Sequence, residues 1–480
     1  MEEDGGASSE VQTLLPDVQR RPNTEPTKVL GFKAYKRRWF VLMVVCLINC
    51  SNATIWLTFA LVPNQSAQYF MVSLDQINLF SLVYIVVSIP LSFLATWMMD
   101  THGLRFTLIL GSWLNMLGAL LRFLGTRMGN GVKDLFAVVV FGQVLGATAQ
   151  PLIIFTPTKL AALWFPEHQR ATANMITSMS NPLGIVLTNI ISPLLTQTPQ
   201  QIPNLLLVYA LPACIICCLT TVGIRSSVPP TPPSASAESS GSEPFFQGIK
   251  LLLRNKAYLV LLLCFGSGVA VFTCFFMFLV QILCVQGYSN DFAGLCGVLF
   301  IVFGVVGAGA LGLYVDKTKK FIEVTKVNMS FTALASIAFS VVSLMPQQKA
   351  AVATICSLFG FFVFSIYPVA MELSVECSYP VGEATSAGLL FISGQLLSVL
   401  YVFILQAFTV RLADSPLSTC GAEILSWKVP MLVLAGLCTL FTCFFVLFFN
   451  TRYRRLEAEE QATCGSSATS GQPKNLLTDS

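Results

Sequence analysis

The chain has 480 residues, of which 54% are hydrophobic and only 11% charged, with a net charge of +4 and a mean hydropathy of +0.71. Soluble domains carry about 25% charged residues, so a water-facing surface cannot be built from this composition, and lipid must cover most of the folded chain. No basic stripe interleaved with aromatics is present, which argues against nucleic acid as a partner, and the Cys and His spacings form no paired metal site, so neither metal nor cofactor is expected.

Residues 1–35 are polar and of mixed charge and read as an N-terminal tail without a cleavable signal peptide. Within it, Glu10-Val-Gln-Thr-Leu14-Leu15 has the spacing of an acidic dileucine sorting signal. Such a signal would engage a sorting adaptor and direct the chain toward an endosomal or lysosomal membrane; the plasma membrane is the alternative location. A helix needs roughly 20 apolar residues to cross a bilayer. Runs of that kind predict spans near 39–62, 76–98, 105–126, 135–156, 171–195 and 204–224, then near 257–283, 292–314, 322–345, 350–373, 384–410 and 429–450. The break between the two sets, residues 225–256, opens with Ser226-Ser-Val-Pro-Pro-Thr-Pro-Pro-Ser234 and reads as a flexible linker; Phe245 to Leu253 within it suits a short surface helix. The expected organisation is therefore an all-α membrane protein of twelve transmembrane helices, with six-helix bundles over 36–224 and 257–450 and a C-terminal tail over 451–480.

Lys and Arg set the orientation. With both termini cytoplasmic, about 22 of the 28 basic residues fall on the cytoplasmic side. The sequon Asn64-Gln-Ser66 then lies in the first outer loop, where glycosylation of Asn64 is expected. Most of the 15 cysteines lie inside apolar runs and act as small hydrophobes. Cys284 and Cys420, both near the outer face, are a candidate disulfide whose pairing the sequence leaves open.

The two halves repeat each other. Trp97-Met-Met-Asp100-Thr-His-Gly103-Leu-Arg105 follows the second span, and Gly312-Leu-Tyr-Val-Asp316-Lys-Thr-Lys-Lys320 follows the eighth. An aromatic-Pro pair followed by Ala-Thr recurs at Phe165-Pro166 with Ala171-Thr172 and at Tyr379-Pro380 with Ala384-Thr385. Repeated six-span halves are the architecture in which a central site alternates between two sides. The Asp100, Gly103, Arg105 segment resembles the signature loop of the major facilitator superfamily. Physically, Asp100 suits a helix N-terminus and a basic neighbour, locking one conformer. Gly103 permits a tight turn, Arg105 stays at the interface, and Asp316 repeats Asp100 in the second half.

No Asp or Glu falls near the middle of a predicted span, which favours facilitated diffusion over proton coupling. Arg122, near the outer end of the third span, is expected to snorkel. Neutral polar residues do enter the spans, among them Asn52, Gln150, Asn181 and Gln395. Each alone is more often glue between helices than a ligand contact; Asn52, Gln150, Asn181 and Gln395 are nonetheless the candidate substrate contacts, beside Trp56. Trp56, close to Asn52, could hold a cation on its ring face without a carboxylate; position alone favours an interfacial anchor.

Over residues 35–455 the chain resembles the solute carrier family that contains the feline leukaemia virus subgroup C receptor-related transporters. The resemblance rests on Arg37-Arg38-Trp39, Gly103-Leu-Arg105, Gly111-Ser112 with Asn115 and Gly118, Gly142-Gln143, Ala149-Gln150, Trp164-Phe165, Tyr379-Pro380, and Gly388-Leu-Leu390 with Gln395. It implies a twelve-helix carrier, functional as a monomer, with two pseudo-symmetric bundles around an inner cavity, and a substrate such as choline or ethanolamine. In those relatives a tryptophan of the first span and a tyrosine of the seventh box an ammonium, with glutamines of the fifth and eleventh spans nearby. Trp56 and Gln395 match that pattern. The seventh-span aromatic is replaced by Thr273, with Phe272 beside it, and the fifth-span glutamine by Pro182, next to Asn181. Losing one ring weakens a quaternary ammonium by about 0.5–2 kcal/mol, so a more polar amine suits this site. The expected function is facilitative transport of a small organic solute. One alternative is haem or porphyrin export, for which both histidines, His102 and His168, sit in loops. Another is a carrier-like receptor that transports nothing. No serine, histidine and carboxylate set at membrane depth suggests an enzyme.

Overall fold

A computed structural model describes residues 33–72, 74–128, 132–234, 244–411, 425–458 and 460–461. Glu10, Leu14, Leu15 and Cys420 lie outside these residues.

The first half contains α1 (Arg37–Leu57), α2 (Pro63–Phe70), α3 (Leu74–Thr101), α4 (Gly103–Met128), α5 (Val132–Ile154), α6 (Thr156–Trp164), α7 (Arg170–Leu195) and α8 (Ile202–Gly223). A short helix α9 (Phe245–Arg254) precedes the second half: α10 (Lys256–Cys284), α11 (Asn290–Thr318), α12 (Phe321–Val342), α13 (Lys349–Ser378), α14 (Glu383–Ala407) and α15 (Lys428–Phe448). Two-residue strands β1 (Val410–Arg411) and β2 (Leu425–Ser426) pair antiparallel before α15. Among the described residues, ten helical segments are long and apolar enough to cross a membrane, with α5 and α6 counted as one. Helices α3 and α7 complete the twelve. Because α7 carries Thr172, Asn174, Thr177, Ser178, Ser180 and Asn181 toward the interior, hydropathy marks it weakly.

Small residues let the helices approach. A side chain on Gly118 of α4 would stand 2.6 Å from the Gly142 carbonyl of α5, a backbone contact that only small residues allow. The second half packs instead around rings: Phe275 stacks on Phe300 at 4.7 Å and meets Phe359 edge-on at 5.1 Å.

One face gathers the α3–α4, α6–α7 and α11–α12 connections, together with the segment after α8. On this loop face residues 225–234 are docked, against the expectation of flexibility. The Trp164 indole donates to the Ser227 carbonyl at 3.0 Å, and the Arg105 amide donates to the Ser227 hydroxyl at 3.1 Å. Tyr35 and Thr231 hydroxyls meet at 2.9 Å, and Arg170 donates to Ser234 at 3.0 Å. The prolines stiffen this strap rather than merely extend it. On the opposite face α10 ends at Cys284, which is disulfide-bonded. The twelve other cysteines within the described residues are free. Asn64 falls on α2, the short helix that follows α1.

Candidate functional site

A cavity of about 230 Å³ lies between the two halves. Helices α1, α3, α5 and α7 line one side, and α10, α12, α13, α14 and α15 the other. None of its lining residues carries a charge. Trp56, Gln150, Asn181, Thr273 and Gln395 all reach it, and Pro182 and Phe272 line it too.

These groups differ in how far the protein already satisfies them. Gln150 accepts from Ser88 at 2.7 Å. The Thr273 hydroxyl donates back to the Val269 carbonyl at 2.9 Å and accepts from Ser398 at 3.2 Å. Asn181 makes a long bond of 3.5 Å to the Asn49 carbonyl. The buried indole N–H of Trp56 has no acceptor among the described residues. An unpartnered buried donor is costly, and this one belongs to a residue that lines the cavity.

Trp56 is also rigidly placed. Helix α1 stops at Leu57, and α2 restarts at Pro63. The freed carbonyls at the end of α1 are claimed by side chains: Arg122 donates to Ile55 at 2.8 Å, and Gln143 reaches Trp56 at 3.4 Å. Arg122 is 1% exposed and lies 4.7 Å over the Phe59 ring. It therefore does not snorkel. The negative end of the α1 dipole and the ring face substitute for a carboxylate.

Asn52 does not reach the cavity. It donates to Asn115 at 3.0 Å and to the Gly146 carbonyl at 3.1 Å, tying α1 to α4 and α5. At 100° per residue, Asn49 and Trp56 share one stripe of α1, whereas Asn52 sits about 40–60° round the helix. The aromatic wall is richer than Trp56 alone. Tyr84 lies 6.3 Å from Trp56, ring to ring, and Tyr367 and Phe391 also line the space.

The predicted loop residues assemble on the loop face. Asp100, at the end of α3, accepts from the Thr385 amide at 2.8 Å and its hydroxyl at 2.5 Å, capping the start of α14. Lys159 of α6 bridges Asp100 at 2.9 Å and Glu383 at 2.7 Å, with the three side chains between 6% and 15% exposed. Asp316, at the end of α11, accepts from the Ala171 and Thr172 amides at 2.9 and 2.6 Å, and from the Thr172 hydroxyl. Each half thus caps a helix of the other. Gly103 has φ +84°, the left-handed turn between α3 and α4. Arg105 is exposed and contributes its backbone amide, which binds the strap.

The Major Facilitator Superfamily profile matches residues 41–402. Solute carrier family 49 member A3 of Danio rerio is 52% identical over 477 residues, 99% of each chain. The chain belongs to the Major Facilitator Superfamily and, within it, to solute carrier family 49. The choline/ethanolamine transporter FLVCR1 of Felis catus is 29% identical over 408 residues, covering 82% of this chain and 72% of that one. Among solved structures, the proton:xylose symporter XylE aligns with a TM-score of 0.67 at 12% identity, over 88% of this chain and 98% of that one; this likeness speaks to fold alone. The twelve helices in two pseudo-symmetric bundles are thus the superfamily fold, and the family is one of transporters, not enzymes.

Two residues of the loop-face cluster are missing from the sequence expectations. Lys159 and Glu383 complete the Asp100 cluster. Lys159 was detectable as a lone cation in the apolar stretch 150–165, and Glu383 as the acid just before the second Ala-Thr pair.

Proposed function

We propose that the chain carries a small amine-bearing organic solute, of the choline or ethanolamine type, down its gradient by alternating access. The observation that carries this reading is the uncharged cavity, in which the Trp56 ring and indole N–H and the Gln395 amide are offered together. An aromatic wall attracts an ammonium without burying a counter-charge. Thr273, Asn181 and Gln150 supply hydroxyl and amide partners for the polar end of such a solute. The naming of relatives such as FLVCR1 as choline/ethanolamine transporters adds support.

In this reading the bundles over 36–224 and 257–450 rock about the cavity. The Asp100 and Asp316 caps stabilise the conformer closed on the loop face, which we take as cytoplasmic. The bias of Lys and Arg supports that assignment. So does the disulfide at Cys284 on the other face, since disulfides persist in oxidising compartments.

The test is uptake of radiolabelled choline and ethanolamine by cells expressing the protein, at matched surface levels. Trp56→Ala and Gln395→Ala each remove about 1–2 kcal/mol of contact. Sub-saturating uptake then falls about tenfold for each variant. Uptake of either amine that both variants leave unchanged would refute the site; no uptake of either amine would refute the substrate class.

A further inference from the structure

Helix α9 presents three distinct faces. Gly248 and Leu252 are buried against the protein. Phe246 and Leu253 are 81% and 56% exposed, with half-buried Ile249 between them. At 100° per residue these three form one apolar stripe, spaced i, i+3 and i+7. Lys250 and Arg254 are exposed and sit roughly a quarter-turn further round. Neither has an acidic partner among the described residues.

An exposed apolar stripe beside a basic one is mismatched to water. It matches a bilayer surface, where rings and aliphatic chains enter the acyl boundary and cations meet anionic headgroups. The position of α9 in the chain fixes its height. It ends at Arg254, and the membrane-crossing α10 begins at Lys256 after the single residue Asn255, whose side chain accepts from the Tyr258 amide. A helix joined so closely to a spanning helix lies at membrane level.

We propose that α9 is a membrane-surface helix that binds anionic phospholipid: Lys250 and Arg254 hold the headgroups while Phe246, Ile249 and Leu253 enter the acyl boundary. This goes beyond the transport reading and does not depend on the substrate. The helix also bears on the first latch. A side chain on Gly248 would stand 3.0 Å from Val381, and one on the adjacent Gly382 would collide with the Asp100 carboxylate. Lipid held by α9 therefore braces the segment that Asp100 caps.

The test is hydrogen–deuterium exchange of the peptide covering 245–254, with the full chain in nanodiscs of phosphatidylcholine alone or with phosphatidylserine added. Each basic side chain near an anionic surface contributes about fivefold, so exchange slows about tenfold or more when phosphatidylserine is present. In Lys250→Gln/Arg254→Gln that difference disappears, while exchange in phosphatidylcholine stays as in the unaltered protein. Equal exchange in the two lipids would overturn the proposal, and would leave the face to a protein partner. A phosphatidylserine effect that survives in the double variant would overturn it as well, by assigning the lipid to another site.

Discussion

The two loop-face latches occupy pseudo-equivalent places and are built differently. At both, an aspartate ending one helix caps the start of a helix in the other half. Asp100 shares its site with the Lys159–Glu383 pair, at 2.9 and 2.7 Å and nearly out of water. Asp316 relies on backbone amides and a hydroxyl, while the nearby Lys319–Glu167 pair, at 3.4 Å, is 25% and 42% exposed. The difference is that the first aspartate is itself ion-paired out of water, whereas the second is held by helix-start donors, with the buried Arg170, Glu372 and Arg455 standing close by. The first latch is stiff and intolerant of partial loss, because an unpaired buried charge costs more than the pair gained. The second degrades in smaller steps.

Breaking the charge cluster has the largest effect. Lys159→Met leaves Asp100 and Glu383 facing each other without a cation, a cost of about 3–5 kcal/mol to the closed conformer. Exchange of the 383–388 amides then rises by two to three orders of magnitude, while that of 170–174 rises less. Adding Glu383→Gln to Lys159→Met recovers part of the loss, since the like-charge repulsion is gone. If the single and double variants exchange alike, the cluster is not the source of the stiffness. Asp316→Asn is intermediate. It keeps acceptor oxygen at the α7 N-terminus but loses charge, about 1 kcal/mol, and its effect belongs at 170–174. A larger response at 383–388 would erase the distinction between the latches. The smallest change is Lys319→Ala, within about 1 kcal/mol because the pair is half-solvated. A shift in thermal unfolding as large as that of Lys159→Met would reverse the ranking.

Much of this was legible in the sequence where chemistry and periodicity agree. The apolar runs placed all twelve spans, and the repeat around Asp100 and Asp316 picked out both capping residues. The misses have local causes. Lys159 was lost because the fourth apolar run was ended at 156, whereas the helix continues as α6 to Trp164. Arg122 was sent to the surface because the run over 39–62 gives no sign that α1 breaks after Leu57, and only that break creates the carbonyl it caps. Asn52 was credited to the cavity because helical spacing tells which broad face a residue shares, not which neighbour lies over it. Trp56 stood out through resemblance; its unpartnered N–H is visible only in three dimensions.

The docked strap has a practical consequence. Ser227 and Ser234 bond to Arg105, Trp164 and Arg170, all of the first half. The strap is therefore fastened to that half by its side chains and backbone. A reporter or protease site spliced into 226–233 would tear out those anchors, so a stretch whose composition invites engineering is a poor place to cut.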